Sequence, residues 1–220
     1  MTTLFYDGFS GSGSLVGRQA EVGGAWKNLY QIDQAPAGVI AGGALRCTQA
    51  PGFVTGAAAD TFGSEWGFTL EAGITLLPLI PPPDEEQQIA TVALTVVTSD
   101  EDSVRVSFGM RPSAPWYVSM RYVSGLYVSW AVPAMGFGPH IISVTLGRDG
   151  RAVVRAGDHY STLSGVGAGG FVEAGPWVNM YTGAYESQPA LDYILFTDYG
   201  GGVIPTPPAW WRNTKNATLE

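Results

Sequence analysis

Few side chains in this sequence could do chemistry, and their spacing decides what kind. Cys47 is the single cysteine of 220 residues, so it cannot close an internal disulfide. A cysteine nucleophile needs a base beside it, and the chain has two histidines, His140 and His159. Cys47 lies in the strand-like run Ala44-Leu45-Arg46-Cys47-Thr48, where it is expected to act as a small buried hydrophobe. His140 and His159 bracket residues 141–158. With Asp158 they form a grouping of metal-ligand type, although histidines at two strand ends are the plainer expectation. Carboxylates come in two short runs, Glu85-Glu86 behind a proline run and Asp100-Glu101-Asp102 in a polar segment. Asp100 and Asp102 share a face only on a strand; in a turn, the expected state, they are solvated. Residues 165–170, GVGAGG, have the glycine density of a phosphate cradle. No lysine and no helical pattern follow them, which removes that reading.

Aromatic residues offer binding rather than catalysis. Trp116, Val118, Met120 and Tyr122 form one stripe of period two, and Leu126, Val128, Trp130 and Val132 form another. Both suit a core, where aromatics bury large areas. Tyr117 and Tyr127 fall on the other face from those stripes, which makes them the candidate platform for a sugar ring. Trp210-Trp211-Arg212 follows a proline-rich spacer. Paired tryptophans with arginine are the chemistry of an interface hot spot, and a stiff spacer holds such an anchor away from its own domain. The expected partner is a neighbouring subunit, giving a homo-oligomer. The alternative is that this segment folds back on its own domain.

The elements that must carry these residues are strands. Residues 67–77 alternate Phe68, Leu70, Ala72, Ile74 and Leu76 with Thr69, Glu71, Gly73 and Thr75, a period-two pattern with one buried face. Residues 140–160 contain two such runs separated by Gly147-Arg148-Asp149-Gly150. Asp-Gly supplies the positive φ angles of a tight turn, so this stretch is a hairpin. Residues 89–98 are apolar on both faces apart from threonines and are expected at the centre of a sheet. Ser124-Gly125 joins the two aromatic stripes as a second hairpin. Residues 78–86 cannot be a strand interior, because proline lacks the donor. Strands recur along the chain with no helical period, which predicts an all-β, two-sheet antiparallel β-sandwich over residues 1–199. Residues 200–220 change character and read as a C-terminal extended arm for assembly contacts.

Composition sets the outer limits. A chain of 23.2 kDa buries roughly 70% of its unfolded surface and needs no staples. Eleven basic residues against nineteen acidic ones give a net charge of −8, which argues against nucleic acid as the main partner. No apolar run approaches the roughly 18 residues of a membrane-spanning helix. The first residues lack the basic and apolar segments of a signal peptide, so synthesis in a cytosol is expected.

Three stretches resemble the concanavalin A-like lectin/glucanase superfamily, with its laminin-G-like relatives. Phe5-Tyr6-Asp7-Gly8-Phe9-Ser10-Gly11 looks like the Asp-x-Phe-x-Gly opening of that superfamily. The hairpin at 140–160 looks like its penultimate region. Leu191-Asp192-Tyr193-Ile194-Leu195-Phe196 looks like its closing strand. The resemblance spans residues 3–198 and implies a jelly roll whose first and last strands pair. It also implies a structural calcium held between those strands by Asp7 and Asp192. The alternative is that Asp7 caps a turn and Asp192 is an exposed strand residue. The superfamily's glucanases carry Glu-x-Asp-x-x-Glu on one strand, and that spacing is absent here. Retaining hydrolysis needs two carboxyls about 5 Å apart, so no catalytic residues are assigned and the chain is expected not to be an enzyme.

A narrower resemblance concerns Asp7-x-Phe9, Leu15-x-Gly17-Arg18 and Val22-Gly23-Gly24-x-Trp26. These are similar to openings of jelly rolls in bacteriophage structural proteins. The resemblance implies a non-enzymatic virion component in capsid decoration, tail or fibre, with other virion proteins as partners. A glycan-binding module for the host surface is the first alternative, and a degenerate glucanase-like domain the second.

Overall fold

A computed structural model describes residues 1–27, 38–47, 52–64, 67–76, 90–98, 103–110, 117–122, 127–131, 138–147, 151–164, 173–182, 190–198 and 218–219. In chain order the strands begin with β1 (Thr2–Asp7), β2 (Gly13–Ser14), β3 (Trp26–Lys27), β4 (Val39–Ala41), β5 (Ala44–Arg46) and β6 (Gly52–Ala58). They continue with β7 (Phe62–Gly63), β8 (Gly67–Leu76), β9 (Ala90–Thr98), β10 (Ser103–Met110), β11 (Tyr117–Tyr122) and β12 (Tyr127–Ala131). The last six are β13 (Gly138–Gly147), β14 (Arg151–Ala156), β15 (His159–Ser164), β16 (Glu173–Thr182), β17 (Ala190–Asp198) and β18 (Thr218–Leu219).

These strands form two nine-stranded antiparallel sheets. The first runs β15-β14-β13-β8-β17-β5-β4-β2, with β1 also on β17. The second runs β18-β12-β11-β10-β9-β16-β6-β3, with β7 also on β16. The period-two pattern explains the layering. Phe68, Leu70, Ala72 and Ile74 of β8 are buried, as are Ile142, Val144 and Leu146 of β13 and Ala152, Val154 and Ala156 of β14. Opposite them, Trp26 of β3, Ala58 of β6 and Ala174, Val178 and Met180 of β16 supply described core positions of the second sheet. Each alternate residue of β8, from Thr69 to Thr75, faces outward, as a half-buried strand requires.

The expected hairpin at 140–160 forms, with Ile142 opposite Ala156 and Leu146 opposite Ala152; its turn at 148–150 lies outside the described residues. It gains a third strand, because Gly157, at φ 59°, lets the chain reverse within two residues into β15. The first and last long strands pair, Tyr6 opposite Leu195 and Asp7 opposite Ile194. β9 sits between β10 and β16, the central place expected for residues 89–98. The aromatic stripes become the paired β11 and β12.

Trp210, Trp211 and Arg212, the expected partner-binding residues, lie outside the described residues, as does the rest of 199–217. The end of the arm is described: Leu219 pairs with Val128 and Thr218 with Ser129 on the edge of the second sheet. That contact is with the chain's own domain.

Candidate functional site

The opening motif folds into a closed polar unit. Asp7, at the end of β1, is completely buried. Its carboxylate accepts from the Phe9 backbone N–H at 2.7 Å, from Arg18 Nε at 2.9 Å and from Trp26 Nε1 at 2.8 Å. The Phe9 contact is the turn cap expected of Asp7, and it holds Phe9 at a φ of 51°. Backbone bonds tie the same segments together: Gly17 donates to Trp26, and Trp26 donates to Arg18. Trp26 packs edge-on to Phe5, with centroids 4.9 Å apart. Gly23, at φ 92°, passes so close to Leu4 and Phe5 that a side chain there has no room. Asp7, Phe9, Gly17, Arg18, Gly23 and Trp26 of the Asp-x-Phe, Gly-Arg and Gly-Gly-x-Trp pattern therefore each have a structural task.

This corrects the calcium expectation for Asp7. Its oxygens face a guanidinium and two further N–H donors, so the positive charge a calcium would bring is already supplied. Asp192 is held elsewhere, on the outer side of the first sheet, where its Oδ2 accepts from Thr75 Oγ1 at 2.7 Å. The two carboxylates do not converge. Among the described residues no group of three or more His, Cys, Asp or Glu side chains could hold a metal, and this includes His140, His159 and Asp158. His159 is register partner of Ala156, while His140 is partner of Ile74 on the far side of β13. Cys47 is buried, as expected of a small hydrophobe.

Two outward surfaces remain. On the first sheet a groove of about 580 Å³ runs over β13, lined by Gly73, Ile141, Arg155, Asp158, Asp192 and Tyr193 together with Pro139, His140 and Gly157. Its geometry begins with a bulge. Leu191 pairs with Ile74 and Tyr193 with Gly73, leaving Asp192 as the extra residue. The bulge turns Tyr193 outward, directly opposite a glycine. A Cβ at Gly73 would stand 2.6 Å from Tyr193 Cδ1, so the ring lies on the bare backbone. The phenol donates to Oε1 of Glu71, two residues from Gly73 on β8, at 2.7 Å. Burial first, and then the hydrogen bond to and charge of Glu71, push the Tyr193 phenol above its ordinary value of 10.0. Across the groove, Arg155 donates from Nε to the Gly157 carbonyl at 2.8 Å and lies 5.4 Å from the Tyr160 ring centroid.

The second surface is the outward face of the second sheet, defined by strand register. Val178 and Met180 point to the core, so Trp177, Asn179 and Tyr181 occupy outward positions. One cross-strand row holds Trp177, Thr95, Arg105, Arg121 and Tyr127. The next holds Asn179, Ala93, Ser107, Ser119 and Ser129, and the third Tyr181, Thr91, Gly109, Tyr117 and Ala131. Small residues in the middle row are thus flanked by rows bearing aromatics. Tyr117 and Tyr127 share this face, four residues apart along the strand direction, or roughly 13 Å.

The carboxylates Glu85-Glu86 and Asp100-Glu101-Asp102 lie outside the described residues. Reading the sequence missed Tyr193, Glu71 and Arg155, although Gly73 inside a clean strand was a visible mark of close approach. It did not align Trp177 with Arg105 and Arg121, because that alignment depends on pairing between strands far apart in the chain.

No protein-family model and no curated protein matches this chain. Solved structures do. The Emp47p carbohydrate recognition domain superposes with a TM-score of 0.59 at 12% identity, covering 88% of this chain and 97% of that one. A glycosyl hydrolase family 16 protein from Mycobacterium smegmatis gives 0.54 at 13% identity, covering 89% and 100%. Porphyranase B from Zobellia galactanivorans gives 0.58 at 8% identity, covering 88% and 91%. With two antiparallel sheets and a paired first and last strand, this chain has the concanavalin A-like jelly-roll fold.

Proposed function

We propose that the chain is a glycan-binding module without hydrolytic activity, and that a saccharide lies across the outward face of the second sheet. The observation supporting this reading is the register, in which rows holding Trp177 and Tyr127 and holding Tyr181 and Tyr117 lie on either side of Asn179, Ala93, Ser107, Ser119 and Ser129. Sugar rings offer a C–H face to aromatic residues and hydroxyls to small polar ones. Arg105 and Arg121 are direct cross-strand partners. Two arginines at paired register positions on this face favour an acidic glycan.

Hydrolysis is disfavoured by the same register. A retaining glycosidase sets two carboxyls about 5 Å apart. Among the described strand positions of this face the one carboxylate is Glu173, at the start of β16 beside Gly63. Arginines and serines hold the centre.

The carrier we propose is a bacteriophage particle assembled in the host cytoplasm, with the module on its capsid, tail or fibre. The residues that resemble phage openings form one folding unit around Asp7, Arg18 and Trp26, which supports treating them as one signature. Mass spectrometry of purified particles tests the carrier, and its absence from them removes it. A glycan array probed with the full chain tests the module: acidic glycans are retained, and Trp177→Ala with Tyr127→Ala abolishes retention. Release of reducing ends from a polysaccharide would overturn the non-hydrolytic reading.

A further inference from the structure

The groove over β13 lies on the opposite sheet from the surface just described, and its parts form a built site. Tyr193 is fixed from two sides, by the Gly73 backbone beneath it and by Glu71 at its hydroxyl. Arg155 is fixed by the Gly157 carbonyl and the Tyr160 ring. Both side chains are therefore ordered before any ligand arrives, which lowers the entropy cost of binding. Their bonding capacity is not exhausted. Among the described residues nothing bonds the terminal amino groups of Arg155, and Asp192 uses only Oδ2, toward Thr75. The floor between them is Ile141, with Pro139 at one end.

We propose that this groove is a second, separate ligand site that takes a neutral saccharide of one or two pyranose rings. The charge pattern selects the class. A cation would meet Arg155, and an anion would meet Asp158 and Asp192. A neutral polyol faces neither penalty, because each hydroxyl both donates to a carboxylate and accepts from a guanidinium. The C–H face of the ring would lie against Tyr193 and Ile141. A volume of about 580 Å³ falls in the range of roughly 300–1,000 Å³ usual for small-molecule sites. The proposal stands on this geometry alone and does not depend on the reading of the second sheet. If both hold, the chain engages two glycans from opposite faces.

The test is an amide-shift titration of the full chain by NMR. The probes are the methyl glycosides of glucose, galactose and mannose, with cellobiose and maltose, each taken to its solubility limit. Glucuronic acid and glucosamine serve as charged comparators. A neutral sugar is expected to move the amides of Gly73, Ile141, Gly157 and Asp192, with weaker effects from both charged sugars. Asp192→Asn keeps an acceptor for Thr75 and should weaken binding about tenfold; Arg155→Lys should do likewise. Three results would overturn the proposal: none of the neutral probes moves those amides, a charged sugar binds in preference, or both variants bind as the parent does. Shifts confined to β9, β10, β11, β12 and β16 would place all saccharide binding on the other sheet and also reject the groove.

Discussion

Asp7 and Asp192 sit near one end of two strands that pair with each other, yet they live in opposite conditions. Asp7 points into the sandwich, fully buried, with both oxygens engaged by Arg18, Trp26 and the Phe9 amide. Asp192 is pushed out by a bulge and gives one oxygen to Thr75, with the groove in front of it. A buried carboxylate persists only when its donors are supplied by the fold, because the desolvation cost is otherwise several kcal/mol. A half-engaged carboxylate at the rim of a groove has water to satisfy it and can exchange that water for a ligand. The same side chain is a fastening in one place and a recognition group in the other. What separates them is whether the protein itself has filled the hydrogen-bonding capacity.

That contrast is most sharply tested by removing each carboxylate in turn. Asp7→Ala should cost about 3–5 kcal/mol, because it strands the Arg18 charge in a poorly solvated place. Denaturant unfolding reads the loss, and a cost under about 1 kcal/mol would mean that the buried pair is no fastening. Trp26→Ala should be comparable, about 3–5 kcal/mol, through lost packing with Phe5 and Phe9. Gly73→Ala should cost less, about 1–3 kcal/mol, since the new methyl group must displace the Tyr193 ring. It should also impair saccharide binding at the groove, which separates it from a purely structural change. Asp192→Ala should stay within about 1 kcal/mol of the parent in stability, while weakening the groove's ligand.

The smallest effect is a pH dependence. The fold raises the Tyr193 pKa above its ordinary 10.0, so the folded chain binds the phenolic proton more tightly than the unfolded one. The stability this contributes is fully present below pH 10.0 and declines as pH rises above it. Tyr193→Phe has no proton to lose and should show a shallower decline in unfolding free energy over that alkaline range. Parallel curves for the two proteins would show that Glu71 and burial do not act on the phenol.

The difference between the two regions also explains what could be read from the sequence. Alternation in 67–77 and 140–160 made the first sheet's inner face legible, since one face of each strand is wholly apolar. The pairing of the first and last strands followed from resemblance. The Asp7 unit was visible as a motif, but its role as an internal clasp was not, because Arg18 and Trp26 meet Asp7 only after the chain folds back through Gly17 and Gly23. The groove was hidden by the bulge. Strict alternation from Leu191 would place Tyr193 inward and Ile194 outward. One extra residue reverses them, so Ile194 and Phe196 are buried and Tyr193 faces out. Glu71 and Tyr193 are 122 residues apart, a distance over which no local pattern reports. The rows on the second sheet had the same obstacle: Trp177 reaches Tyr127 in register through three intervening strands.

The central claim is glycan binding by the second sheet without hydrolysis. Its most direct test is a glycan array probed with the full chain beside the Trp177→Ala, Tyr127→Ala double variant. The account predicts that the parent retains a restricted set of acidic glycans and that the double variant, folded by circular dichroism, retains none of them. Equal retention by both proteins, or no glycan retained by the parent, would contradict it.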